Sequence, residues 1–202
     1  MAGLFFSYYN NVMKTLELNT IPLFPTVIGN VVNLPLAQKV MPFATEILNN
    51  PQNLTNHWGY KNTFNYKNIP RTIIYKELES FILDVSNSFS NFINSNLNPK
   101  NVQLFFSEMN KGDQHSYHAH PNSVYSGVFY LNVPENSAYL RFHDARPYIN
   151  YISYSSKHPS ACPIHDIKPQ TGLFLIWQSW VPHEVLKNFT DGRITAVFNI
   201  HN

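Results

Sequence analysis

The apolar positions of this chain change period once, near residue 101. Between residues 72 and 95, Ile74, Leu78, Phe81, Ile82, Val85, Phe89, Phe92 and Ile93 recur at spacings of three and four. That spacing places them on one face of an α-helix. It predicts a long supporting helix at about 72–95, packed by that face against a sheet. From residue 101 onward the pattern is extended, and strands are expected over 102–109, 127–133, 138–143, 172–177, 183–186 and 193–200. Turn signals separate most of them: Lys111-Gly112-Asp113, Pro134-Glu135-Asn136 and Thr190-Asp191-Gly192. Upstream, residues 17–36 mix apolar pairs with Pro and Gly and predict one or two strands. Residues 37–50 predict a short helix around Ala44 to Leu48, and residues 51–70 have no period and read as loop.

A run of short strands behind a helical preface predicts a mainly β fold with N-terminal α. The expected architecture is a double-stranded β-helix, a cupin-like jelly roll. No internal repeat or linker breaks the chain, so residues 1–202 read as a single domain, with N-terminal strands and helices over 1–100 and the jelly-roll core over 101–202. Residues 146–169 are rich in Tyr, Ser, Pro and His. A long loop inside a compact domain is often a lid or binding loop, and Tyr148, Tyr151 and Tyr154 would favour a flat or amphipathic substrate such as a peptide segment.

Composition narrows the classes. Of 202 residues, 44% are hydrophobic and 15% aromatic but only 13% charged, with a net charge of +2. There is no run of Lys or Arg to track phosphates, so nucleic acid is not an expected partner. No stretch approaches the roughly 20 apolar residues that span a bilayer, and no membrane association is expected. The opening MAGLFFSYYNNVMK lacks a basic leader and a small-residue cleavage site, so it does not read as a signal peptide. The lone Cys162 reads as an ordinary loop thiol and fits a reducing compartment. These features predict a cytoplasmic protein, in the host cytoplasm if the chain is viral. The sequons at Asn53 and Asn188 carry no meaning without secretion.

The chemistry lies in His118-Ala119-His120, followed by His183 and then Arg193. Two imidazoles one residue apart on an extended segment share a face, because strand side chains alternate. A third His from a distant strand completes one face of a metal ion. Non-heme iron oxygenases use two His and a carboxylate in this way and leave positions open for co-substrate and oxygen. His120 stands where the carboxylate is expected. Asp144 is the nearest carboxylate alternative as third ligand, and Asp113 a more remote one. Most single His residues are surface or core groups, so His57, His143, His158, His165 and His201 are not assigned to the metal, and His115 is out of step with the pair. Arg193 offers a planar fork that matches a carboxylate with two hydrogen bonds. It would hold the distal carboxylate of 2-oxoglutarate, with Tyr130 adding a phenol hydrogen bond.

Three stretches carry a resemblance: Leu23-Phe-Pro-Thr26, His118 through Leu131 (HAHPNSVYSGVFYL), and Gly172 through His183 (GLFLIWQSWVPH) followed by Gly192 through Asn199 (GRITAVFN). In these stretches the chain resembles the Fe(II)- and 2-oxoglutarate-dependent oxygenases, in particular those of marine bacteria and cyanophages. The order of His pair, Tyr-Leu-Asn strand, distal His and Arg is similar to the prolyl-hydroxylase-like branch. The resemblance implies iron ligands at His118, His120 and His183 and co-substrate contacts at Tyr130 and Arg193. It implies a dioxygenase with Fe(II) as cofactor, 2-oxoglutarate as small-molecule co-substrate, and a peptide residue or, second, a metabolite as prime substrate. Two alternatives stand beside it. One is a three-His cupin-like dioxygenase with no 2-oxo acid, which has no use for Arg193. The other is a non-enzymatic jelly-roll binding or virion protein.

Overall fold

The computed structural model describes residues 25–55, 58–146 and 162–201. Leu23 and Phe24, most of the 146–169 segment with Tyr148, Tyr151, Tyr154 and His158, and His57 lie outside them. Among the described residues, ten strands and two helices follow in the order β1 (Ile28–Val32), α1 (Leu34–Asn49), β2 (Lys61–Asn62), α2 (Ile73–Phe92), β3 (Asn101–Met109), β4 (His115–His118), β5 (Tyr125–Asn132), β6 (Leu140–His143), β7 (Ile164–Ile167), β8 (Leu173–Gln178), β9 (His183–Val185) and β10 (Arg193–His201). A single 3-10 turn, Pro51–Asn53, follows α1.

The strands form two antiparallel sheets: a major one ordered β1-β8-β5-β10-β3-β2 and a minor one ordered β4-β9-β6-β7. This is the expected mainly β, double-stranded β-helix. The nine residues of β10 pair with β3 along their whole length and with β5 along most of it. The alternation of β10 sorts its side chains. Ile194, Ala196, Phe198 and Ile200 join the core under the helices, and Val197 meets the second cluster between the sheets. That second cluster joins Val128, Tyr130, Leu175 and Trp177 of the major sheet to Leu140 and Phe142 of the minor one. The face of the major sheet turned away from the helices is therefore the one that carries the site.

The helices seal the other face. Thr72 caps α2 by accepting from Tyr75 N at 3.2 Å. Tyr75, Leu78, Ile82, Ser86 and Phe89 form its buried stripe. Phe92, expected on that stripe, is the last residue of the helix and is 75% exposed. Helix α1 starts earlier than its apolar pattern suggests. Asn33 Oδ1 caps Leu36 N at 3.1 Å, and Pro35 sits in the first turn, where its missing N–H costs nothing. Gly127 allows the closest approach in the helix-side core: a Cβ there would lie 2.1 Å from Phe198 Cζ and 2.3 Å from Leu175 O. Two stretches expected to be irregular contain strands: β2 within 51–70 and β7 within 146–169. Among the described residues, no helix is long and apolar enough to cross a membrane.

Candidate metal centre

His118 ends β4 and faces His183, the first residue of β9, across the minor sheet. His120 is not on the strand. It lies two residues beyond β4, where its backbone N donates to Ser179 O at 3.0 Å. Strand alternation therefore does not bring the pair together, as the sequence suggested; the turn into Pro121 does. The three rings converge all the same. Centroids lie 4.3 Å apart for His118 and His183, 5.0 Å for His120 and His183, and 5.1 Å for His118 and His120. One ligand nitrogen from each lies within 4.8 Å of the others.

The surroundings decide which nitrogen that is. His118 Nδ1 meets Ser116 O at 2.7 Å, His183 Nδ1 meets Val181 O at 2.9 Å, and His120 Nδ1 meets Asn199 Oδ1 at 2.5 Å. The Asn199 amide is oriented by donating to Gln103 Oε1 at 3.1 Å and accepting from Ser126 Oγ at 2.9 Å. A carbonyl oxygen only accepts, so each imidazole carries its proton on Nδ1 and presents a lone pair at Nε2. His120 Nε2 and His183 Nε2 then face each other 3.2 Å apart as two acceptors. That contact is unfavourable until a cation sits between them. All three rings are held neutral. Burial pushes His183 well below the usual value. Burial lowers His120 to about 4 against the opposing Asn199 hydrogen bond, and burial likewise lowers His118. The donor set is three neutral nitrogens with outer carbonyl partners, chemistry that suits a first-row divalent ion.

The triad opens on a cavity of about 360 Å³ that Arg193, Tyr130 and Trp177 also line. Arg193 is 2% exposed. Its guanidinium carbon lies 5.1 Å from the Tyr130 ring centre, and Nη1 approaches Met109 Sδ at 3.4 Å. No carboxylate pairs with it among the described residues. The Tyr130 hydroxyl, Trp177 Nε1 and Arg193 Nε are buried side-chain donors left without a partner, and all three residues line this cavity. Unpaired buried donors are expensive, about 1–3 kcal/mol each and more when charged. Their concentration in one cavity marks a place for an anionic, oxygen-rich ligand. Burial raises the Tyr130 phenol, with the Arg193 charge opposing, so it stays a donor.

The remaining sequence candidates fall elsewhere. Asp144 does not line the cavity; its carboxylate accepts from Arg146 Nε at 2.9 Å, and that hydrogen bond holds it below its usual range. Asp113 accepts from Asn110 N at 2.7 Å and closes a turn. His143 meets Glu184 Oε1 at 3.0 Å, away from the cavity. His115, read from the sequence as out of step, belongs to the site. The pairing of β4 with β9 shifts between His115 and His118, so His115 pairs with Val185 and its ring stacks on His118 at 4.0 Å. Burial, then the neighbouring His118 and His120, lowers it to about 3. Sequence reading also missed Trp58, Tyr60 and Phe64, which line the cavity from the stretch taken as loop. Three aromatics in seven residues were the available signal, since a solvated loop has no reason to collect them.

Comparison with known proteins bears on this geometry. Residues 103–199 match the model of the family described as "Putative 2OG-Fe(II) oxygenase". No curated protein matches the sequence. Solved structures share the fold. A Pseudomonas putida prolyl-4-hydroxylase aligns at TM-score 0.65 and 14% identity, over 88% of this chain and 93% of that one. The viral collagen prolyl hydroxylase of Paramecium Bursaria Chlorella virus-1, in its 2OG complex, aligns at 0.56 and 11%, over 86% and 94%. The non-heme alpha ketoglutarate dependent epimerase SnoN aligns at 0.60 and 9%, over 87% and 77%. The matched family uses Fe(II) and 2-oxoglutarate, and the matched segment contains all three clustered histidines and Arg193. Residues 103–199 of this chain are thus similar to the 2OG-Fe(II) oxygenase family, in the segment that carries the clustered histidines and Arg193.

Proposed function

We propose that the chain is an Fe(II)- and 2-oxoglutarate-dependent dioxygenase that hydroxylates a C–H bond of its prime substrate. His118, His120 and His183 hold the iron, and Arg193 with Tyr130 holds the distal carboxylate of 2-oxoglutarate. One observation carries the reading: a buried arginine without a carboxylate partner lines the same cavity as three converging Nε2 lone pairs. Fe(II) and 2-oxoglutarate, when bound, supply oxygen activation, and the balance is substrate, O2 and 2-oxoglutarate in, hydroxylated substrate, succinate and CO2 out.

The residues of the chain do the rest. The three imidazoles donate neutral nitrogens, so the site contributes no negative charge of its own. Arg193 supplies the positive charge that balances the distal carboxylate of a dicarboxylate and orients it by a two-pronged contact. Leu140, Val128, Val185 and Val197 make the walls between these groups apolar, which excludes water. The prolyl hydroxylases among the structural neighbours make a protein residue the first substrate to test and a small metabolite the second.

A three-His dioxygenase that needs no 2-oxo acid is the competing reading. The absence of a carboxylate from the donor set favours it, and the unpaired Arg193 opposes it. Anaerobic binding of 2-oxoglutarate to the iron-loaded protein, followed by succinate release in air, separates the two. The proposal expects both signals. Tight iron binding with no 2-oxoglutarate binding and no succinate would replace it with the three-His reading.

A further inference from the structure

One wall of the cavity is claimed neither by the metal triad nor by Arg193. Trp58 is at its centre, with ring centroids 4.6 Å from Phe64, 5.9 Å from Tyr60, 5.9 Å from Phe105 and 4.9 Å from His115. All five line the cavity. Because His115 stacks on His118, this wall runs directly up to the triad.

The wall has one polar feature. Tyr60 Oη lies 2.9 Å from His115 Nδ1, and the phenol has no other partner among the described residues. If Nδ1 accepts, the Tyr60 proton is satisfied; if Nδ1 donated, a buried O–H would be orphaned at about 1–3 kcal/mol. The His115 proton therefore sits on Nε2. That nitrogen has no partner among the described residues and is not one of the atoms sealed from solvent. His115 is thus the opposite of the three rings beside it. Each of those donates from Nδ1 to a carbonyl oxygen and offers a lone pair, whereas His115 offers a donor.

Charge limits what can lie there. Among the described residues, the cavity lining contains no carboxylate and no lysine, and Arg193 is the one permanent charge they supply. A cation would find aromatic faces but no counter-ion, and would meet Arg193. An anion would compete for Arg193 itself. Burying either without a partner costs more than the wall returns.

We propose that the Trp58–His115 wall is the prime-substrate subsite, taking a neutral apolar group with an amide carbonyl that accepts from His115 Nε2–H. This rests on the oxygenase reading above and adds the chemistry of the substrate to it. The test uses zinc-loaded, 2-oxoglutarate-bound protein, in which nothing turns over. The probes are N-acetyl-leucinamide, N-acetyl-phenylalaninamide, N-acetyl-lysinamide and N-acetylglutamate α-amide. Binding is followed by NMR at the His115 and Trp58 ring nitrogens.

The neutral amides should bind at least about tenfold more tightly than the charged pair and shift both signals, and His115 should show the Nε2–H tautomer. His115→Phe keeps the ring stack and removes the donor. It should weaken the neutral amides by about tenfold, the scale of one hydrogen bond, in protein shown to be loaded with zinc and 2-oxoglutarate. Tyr60→Phe, a second variant, should release the tautomer and weaken the same probes by less. The subsite is overturned by an Nδ1–H tautomer, by charged probes that bind as well, by a His115→Phe protein with full affinity, or by no probe binding at millimolar concentration. A wild-type protein that fails to take up zinc or 2-oxoglutarate sinks the oxygenase reading instead.

Discussion

The two faces of the major sheet solve different problems with the same strands. Along β10, Ile194, Ala196, Phe198 and Ile200 pack under the helices, and every one is apolar. The alternate residues Arg193, Thr195, Val197, Asn199 and His201 line the cavity, and four of the five are polar. The helix-side face is satisfied by burial alone. The cavity face holds groups that burial makes worse: a guanidinium with no carboxylate and an unpartnered Nε, an unpaired phenol and two imidazole lone pairs aimed at each other. One face stabilises the fold, and the other carries a cost that a metal and an anion would relieve.

Substitutions on the two faces should therefore separate stability from ligand binding. The largest effect is expected at His183. His183→Ala leaves two of three ligands and should reduce iron or cobalt uptake to background, read as metal content after anaerobic reconstitution, while the melting temperature moves by only a few degrees. Full metal content would remove His183 from the centre. Phe198→Ala tests the other face and should cost about 3–5 kcal/mol in denaturant unfolding, with metal affinity of the folded protein unchanged. If it loses metal without losing stability, the faces are not independent.

Arg193→Met sharpens the contrast because its two effects have opposite sign. Affinity for 2-oxoglutarate should fall by about tenfold or more, corresponding to roughly 1.5–3 kcal/mol for a charge-assisted contact. The unliganded protein should become more stable, since a buried cation with no carboxylate beside it is gone. Calorimetry and thermal melts of one preparation measure both. Asn199→Leu should act more mildly, weakening metal binding by about tenfold through loss of the His120 Nδ1 acceptor.

A separate effect is in pH. His120 and His115 are lowered from 6.5 to about 4 and about 3, so the folded, metal-free protein binds fewer protons than the unfolded chain between those values. Their contribution is fully present above about pH 6.5 and is lost as pH falls toward 4 and 3. Unfolding midpoints of metal-free protein should decline over that window, and less steeply in His120→Phe. Equal slopes for both proteins would mean His120 is not held neutral by the fold.

Much of the frame was legible from local pattern. The three–four spacing over 72–95 became α2 at Ile73–Phe92, and the extended stretch at 193–200 became β10 at Arg193–His201. Both signals are local, because burial of one helix stripe or one strand face repeats at a fixed interval. The start of α1 was harder to read, because an Asn33 cap and a first-turn proline extend it past its apolar run. Strand β7 has no buried face in its Ile164–Ile167 segment and so left no alternating signal.

At the site, the sequence by itself determined the chemical inventory: an imidazole pair, a third imidazole, an arginine entering a strand and a phenol on another strand. These types have few uses in that order, and spacing along a strand decides which face each takes. Tertiary structure alone decided the rest. It carried His120 into the cluster by a turn, brought in His115 through an irregular pairing, and set Asp144 aside in an ion pair with Arg146. It also chose the tautomers, because Val181, Asn199 and Tyr60 present an acceptor or a donor to an imidazole only after distant segments have packed. The identity of a ligand atom depends on what its second nitrogen touches, and no period in the sequence encodes that contact.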